Sequence, residues 1–387
     1  MVMEPRKYYD RANLKDNPFK SNPNFSIDPR ASIWVGYEKQ KNQLDKFLKR
    51  SLSDQVGNVN FLMLYGDYGT GKSHALLWSQ HRILHEEKNT YNAVCYFIPT
   101  LRQENGKFSF SDAFKNDIVT RSNLLADLKS FHDFLVECIT ARKRADGSED
   151  SPNEMIIERL IPAIELCDFA KKVYRCQSND ERLLEVLSTK NDYQAMTIFS
   201  KIVNLFVYEM IIAEDEPRRF KKGAYLFIDE LDDLERATVK EAREVNDLLR
   251  HIYDNCPNNF CMVIALSAEI SQLAVLFFEY VLRRIKRQIE LDGLDKDDAV
   301  DFVREILEKN RQDPEGEVGY FPFEEAAIDT IASQLTEITP AKIVDTMQQV
   351  IEEVRLAGHD PAHGPVSVEF LDENEIVEEV LGEGGIA

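Results

Sequence analysis

Four short apolar, strand-forming runs punctuate the chain. They are residues 59–65 (Val-Asn-Phe-Leu-Met-Leu-Tyr), 93–98 (Ala-Val-Cys-Tyr-Phe-Ile), 224–228 (Ala-Tyr-Leu-Phe-Ile) and 260–266 (Phe-Cys-Met-Val-Ile-Ala-Leu). None contains glycine or proline, and none alternates apolar with polar. Runs of this kind predict strands covered on both faces, as in a parallel sheet. Other stretches repeat with helical spacing. Leu44, Phe47, Leu48 and Leu52 place one apolar stripe on residues 38–52. A glycine-rich turn separates the first strand from a predicted helix over about 72–87, and a long charged helix is expected after the third strand. Phe131, Phe134, Leu135 and Cys138, and then Ile198, Ile202, Leu205 and Phe206, mark further helices. Between the second and third strands lie about 120 residues, far more than one crossover helix needs, so residues 101–215 are read as a helical insertion broken by a loop at 144–152. From 295 onward the pattern is again helical: Ala299, Phe302, Val303, Ile306 and Leu307, then Ile343, Thr346, Met347, Val350 and Ile351.

The two ends read differently. Residues 1–30 hold Lys15-Asp16-Asn17-Pro18-Phe19 and Asn22-Pro23-Asn24, an extended arm with turns, clipped down by Phe19, Phe25 and Ile27. Residues 359–387 read as an acidic tail, partly disordered, with Gly-Glu-Gly-Gly near its end. Charge sharpens this division. From Glu290 onward there are 26 acidic and 6 basic residues, while the rest of the chain holds 42 and 41, so the formal net charge of −21 belongs to the last quarter. That part is not expected to coat nucleic acid. With 43% apolar residues, the 387-residue chain can build a core and is neither a disordered segment nor a collagen-like fibre. Its apolar runs are too short to cross a bilayer, and residues 1–10 lack the apolar stretch of a secretory signal. Six scattered cysteines without a CxxC pair argue against a disulfide framework or zinc site and set a reducing cytoplasm as the expected compartment.

Two motifs carry chemistry. Gly66-Asp67-Tyr68-Gly69-Thr70-Gly71-Lys72-Ser73 fits G-x-x-x-x-G-K-[ST], with a buried strand before it and a helix after it. Glycines let successive backbone N–H groups face a phosphate, and the helix start adds its positive dipole end. Lys72 is the cation for the β- and γ-phosphates of ATP, and Ser73 is an oxygen ligand for Mg2+. The expected nucleotide-contacting run is this octapeptide with the following His74. The second motif is Tyr225-Leu226-Phe227-Ile228-Asp229-Glu230. Asp229, at the strand's carboxyl end, is the candidate Mg2+ ligand, and Glu230 the candidate base that polarises the attacking water. The alternative for these acids is a helix cap, since Asp232, Asp233 and Glu235 follow.

Together the motifs resemble the AAA+ P-loop ATPases, over roughly residues 15–355 apart from the insertion. The resemblance implies an α/β fold: a P-loop NTPase parallel sheet with a helical insertion and a small helical lid. The expected parts are an arm at 1–30, an ATPase core at 31–290, a lid at 291–358 and the tail. In that family a strand ends in a polar sensor residue, here Ser267, shorter than the usual Asn and equally readable as a turn residue. An arginine finger then precedes a strand and the first lid helix. Here Leu282-Arg283-Arg284-Ile285-Lys286-Arg287-Gln288-Ile289-Glu290-Leu291 stands in that place, with Arg284 preferred and Arg283 next; a solvated basic face is the alternative. Thr339-Pro340-Ala341-Lys342 occupies the sensor-2 place, with Lys342 a point charge where the family has a forked arginine. Asn17-Pro18-Phe19, Val35-Gly36-Tyr37-Glu38 and the lid pattern look most like the initiator-type clade, the origin-recognition and transposon-targeting members. Those origin-recognition proteins carry a winged-helix domain after the lid; the residues after His359 are too few for one, so DNA reading by that route is not expected.

Remaining features take plainer readings. His74, His81 and His85 share a helix face without acidic or cysteine partners, so a packed or exposed face is favoured over a metal site. Trp34 and Tyr37 stand where the family flanks adenine, or pack in the core. Arg142-Lys143-Arg144 and Arg218-Arg219-Phe220-Lys221-Lys222 touch phosphate backbone or form solvated turns. The expected activity is Mg2+-dependent ATP hydrolysis in a homo-oligomer that acts as a nucleotide-controlled switch with duplex DNA and without a membrane. The rival is a signalling or defence NTPase with a protein partner. No aromatic pore-loop motif supports a protein-remodelling motor.

Overall fold

The computed structural model describes residues 4–19, 32–53, 60–103, 106–213 and 216–383. Asn22-Pro23-Asn24, Phe25, Ile27 and the last four residues lie outside them. The described chain divides into two compact units.

One unit comprises residues 43–65 and 79–289 and is built on a parallel sheet. Its strands are β1 (Asn60–Gly66), β2 (Ala93–Ile98), the short hairpin pair β3 (Glu209–Ile211) and β4 (Pro217–Arg219), β5 (Gly223–Ile228), β6 (Phe260–Ser267) and β7 (Arg287–Glu290). The five-stranded order is β2-β5-β6-β1-β7, with β3-β4 apart. β2 runs parallel to β5 from Ala93 opposite Gly223 to Ile98 opposite Ile228, and β5 runs parallel to β6 from Ala224 opposite Phe260 to Ile228 opposite Ile264. β1, β2 and β5 are buried along their whole length, which explains why their sequences are continuous rather than alternating. Because the strands are parallel, the carboxyl ends of β1, β5 and β6 share one edge of the sheet.

Helices Leu124–Asp146, Asn153–Leu160, Ile164–Arg175, Asp180–Leu187 and Asp192–Phe206 fill the interval between β2 and β3. They share one hydrophobic core with the sheet, in which Phe131, Phe199 and Phe206 join Phe61, Tyr96 and Leu226. Phe131 packs with Phe206 at 5.6 Å and edge-on to Phe220 at 5.5 Å between ring centres.

The other unit gathers residues 1–42, 66–78 and 290–387. Helices Lys296–Lys309, Glu325–Gln334 and Pro340–Leu356 bury Ala299, Val303, Ile328, Ile331, Ile343 and Met347 together. Both chain ends differ from the sequence reading. The arm contains a helix, Pro5–Arg11, started by Pro5 at a position where no N–H is needed, and it buries Tyr8 and Tyr9. Leu14 bridges to Arg311, Tyr9 donates to Glu352, and Arg11 pairs with Asp360. Phe19 is fully buried. The acidic tail is folded through residue 383, with helices Val368–Glu373 and Ile376–Glu383. Its acids Glu369, Asp372 and Glu373 face solvent while Val366, Leu371, Ile376 and Val377 are buried, so the charge reflects an outer face rather than a lack of core. Among the described residues no helix is long and apolar enough to cross a membrane.

Candidate nucleotide site

Strand β1 ends at Gly66, and helix Lys72–His81 begins six residues later. The loop between them needs its glycines. Gly66 has φ +144°, and a Cβ there would lie 2.0 Å from the Leu291 carbonyl oxygen. Gly69 has φ +82°, and its added Cβ would press on Ala341 at 3.0 Å. The loop then closes on itself. Thr70 Oγ1 donates to the Asp67 carbonyl at 2.9 Å, and Lys72 Nζ donates to the carbonyls of Gly66 at 3.0 Å and Asp67 at 2.6 Å. Thr70 and Lys72 are buried, Gly71 and Ser73 half-buried, and Asp67 and Tyr68 exposed.

Residues 33–37 brace this loop. The Tyr37 hydroxyl donates to the Thr70 carbonyl at 3.0 Å and also meets the Asp292 carbonyl. Trp34 stands edge-on to Trp78 at 4.9 Å, and a ring nitrogen of His74 meets the Ile33 carbonyl. Trp34 and Tyr37 are both buried, and His74 has a packing contact. The Ala341 N–H donates to the Gly69 carbonyl at 3.2 Å. Lys342, next along, lies half-buried in the first turn of helix Pro340–Leu356, its amide capped by Thr339 Oγ1 at 3.3 Å. Nothing in the local sequence marks the backbone link made by Ala341.

In the sheet unit, Asp229 is the buried residue that follows β5. Its amide donates to the Ile98 carbonyl at 2.9 Å, and its Oδ1 accepts the Glu230 N–H at 2.9 Å. Glu230 adopts φ +49°, the left-handed region. Desolvation, then the nearby Asp232 and Asp233 carboxylates, push its carboxyl pKa up. The chain turns through Leu231–Arg236 before helix Val239–Asn255. Asp232 accepts the amide of Ser267, at the end of β6, and Asp233 receives Arg102 Nη1 at 2.6 Å. The Ser267 amide is therefore committed to the neighbouring turn. Arg102 was not singled out in the sequence; nothing local marks a partner 131 positions away.

The arginine cluster is not uniform. Arg284 forms a bidentate pair with Asp254, Nε and Nη2 each at 2.9 Å, donates Nη1 to the Tyr280 carbonyl at 2.6 Å and lies over the Tyr253 ring. Arg283 is exposed and paired with Glu279. Arg287 is exposed, with no ion pair among the described residues. The His81 and His85 rings lie tilted against each other, 5.2 Å between centres. Among the described residues no group of three or more His, Cys, Asp or Glu side chains could hold a metal. The Ser73 hydroxyl and the Asp229 carboxylate are each oxygen donors of the kind a hard cation such as Mg2+ takes.

No protein-family model matches the sequence, and no curated protein matches it. Solved structures do. The chain is similar to Drosophila ORC bound to DNA, at 12% identity over 100% of this chain and 69% of that one, TM-score 0.52. It is also similar to the Aeropyrum pernix ORC2 protein in its ADP form, at 12% identity over 96% of this chain and 73% of that one, TM-score 0.50. The chain shares the fold of these ORC structures.

Proposed function

We infer that the chain is a Mg2+-dependent ATPase of AAA+ type that works as a nucleotide-controlled oligomeric switch. The observation that carries this reading is the Gly66–Ser73 loop, whose glycine conformations and buried Lys72 suit a phosphate-binding turn at a helix start. Gly66, Asp67, Tyr68, Gly69, Thr70, Gly71 and His74 would surround the phosphates, and Lys72 would exchange its carbonyl partners for phosphate oxygens. Ser73 and Asp229 would hold Mg2+, which neutralises phosphate charge. Glu230 would orient and deprotonate water. Lys342 would supply a point charge from the lid, and Ser267 a polar contact.

The trans-acting arginine in this reading comes from Arg283, Arg284 and Arg287. Redirecting Arg284 would cost its bidentate pair and its carbonyl contact, and Arg283 its bond to Glu279. Arg287 has no such ion pair to break among the described residues, so it carries the role at least cost. Action on duplex DNA draws support from a fold shared with an assembly solved bound to DNA. A protein partner is the second reading, and one observation favours it at the insertion. There Arg142 pairs with Asp146, Arg218 with Glu216 and Arg219 with Glu209, so three of the seven cations of the two basic clusters already face an acid.

Steady-state ATP hydrolysis over a range of protein concentrations, with and without duplex DNA, tests the proposal. A rate per subunit that rises with assembly, and rises further with DNA, is expected. Mixing Arg287→Ala with Lys72→Ala subunits should restore activity that each lacks alone. Absence of hydrolysis under all these conditions overturns the enzymatic reading, and hydrolysis indifferent to DNA favours the protein-partner reading.

A further inference from the structure

Glu230 leaves β5 with φ +49°, a conformation that residues other than glycine adopt rarely and keep only where their surroundings hold them. Two carboxylates of the same turn do the holding. Asp232 takes the amide of Ser267 from β6. Asp233 takes the guanidinium of Arg102, from the segment after β2. Arg102 is itself fixed. Its Nε donates to the Gly106 carbonyl at 3.2 Å, its amide to Thr100 Oγ1 at 3.1 Å, and its backbone bridges to Phe108. Buried Leu231 and Leu234 seat the turn from below.

We propose that Arg102, through its ion pair with Asp233, is a positioning residue for Glu230, so that the segment after β2 sets the aim of the base. The inference rests on the reading of Glu230 as the base. The pair is about one-third exposed on each side, 36% and 37%, so it adds little to overall stability. Its consequence is directional. It fixes the turn three residues past Glu230, at the residue after the one that takes the Ser267 amide. A base must sit within hydrogen-bond reach of its water, and small misplacements of catalytic groups cost rate steeply. Releasing Arg102 therefore leaves β6 as the one remote polar tether named for the turn, and Glu230 freer to leave its strained conformation.

The test compares full-length Arg102→Ala, Arg102→Lys and the charge reversal Arg102→Asp with Asp233→Arg, measuring kcat, ATP affinity and thermal unfolding. Arg102→Ala should lower kcat about ten- to a hundredfold with ATP affinity and unfolding temperature nearly unchanged. Arg102→Lys should recover part of the rate, and the reversed pair should exceed either single reversal. Parent-like kcat in Arg102→Ala, or slow single reversals with no recovery in the pair, would overturn the proposal. Glu230→Gln runs alongside. If that variant is slow while Arg102→Ala is not, positioning alone fails; if Glu230→Gln turns over like the parent, the assignment of the base fails first.

Discussion

The Gly66–Ser73 loop and the Asp229–Arg236 turn hold their shapes by opposite means. The loop's own side chains close it, with Thr70 and Lys72 donating to carbonyls three to six positions back and glycine supplying the backbone angles, while Tyr37 and Ala341 brace its backbone from outside. The turn contains no glycine and borrows its partners from far along the chain, Ser267 at 35 positions and Arg102 at 131. A self-closed loop is vulnerable to substitutions inside it. A turn held by remote tethers is vulnerable at the tethers as well, and can be adjusted from them.

Substitutions can break or sharpen this contrast. The largest effect is expected at the reacting end of the turn. Glu230→Gln should slow turnover by about 10²–10⁴ while ATP stays bound, read by single-turnover hydrolysis beside a binding titration. Lys72→Ala, inside the loop, should weaken ATP binding by about 10–100-fold, the usual worth of a charged hydrogen-bonding partner. Gly66→Ala keeps every functional side chain but sets a methyl against the Leu291 carbonyl; about 1–3 kcal/mol of stability should be lost, seen as a lower denaturant midpoint. The smallest effect belongs to Arg284→Ala. Removing its pair with Asp254, partly open to solvent, should cost about 1 kcal/mol or less in unfolding experiments and leave hydrolysis largely intact. A large kcat loss there would return the finger role to Arg284.

The same contrast explains what could be read from the sequence. The four buried strands were legible because burial on both faces leaves a continuous apolar run, and the glycine-rich turn after β1 because its residue types and spacing lie in one contiguous stretch. Asp229 and Glu230 were visible as types, yet their environment was not. Asp232 and Asp233 look like cap acids until β6 and the segment after β2 are brought beside them. Arg284 looked the best finger by position, and only Asp254, thirty residues earlier, shows it engaged elsewhere. The acidic tail read as partly disordered because it carries eight acids and no Lys or Arg, although Val366, Leu371, Ile376, Val377 and Val380 are buried. The helix in the arm was missed because the Asn-, Pro- and charge-rich composition of residues 1–30 reads as turns, whereas Pro5 stands at a helix start.

The docking of the N-terminal segment has a consequence for how the chain is made. The sheet unit is complete once residue 289 has been synthesised. Tyr9, by contrast, must wait for Glu352, Leu14 for Arg311 and Arg11 for Asp360. These are contacts of very high sequence separation, which form late and slowly because a long loop must close first. On a ribosome Tyr9 therefore waits for its partner while more than three hundred other residues emerge, and residues 4–19 lack these contacts throughout. A nascent chain stalled after residue 289 should thus expose this segment to protease while its sheet unit already resists digestion.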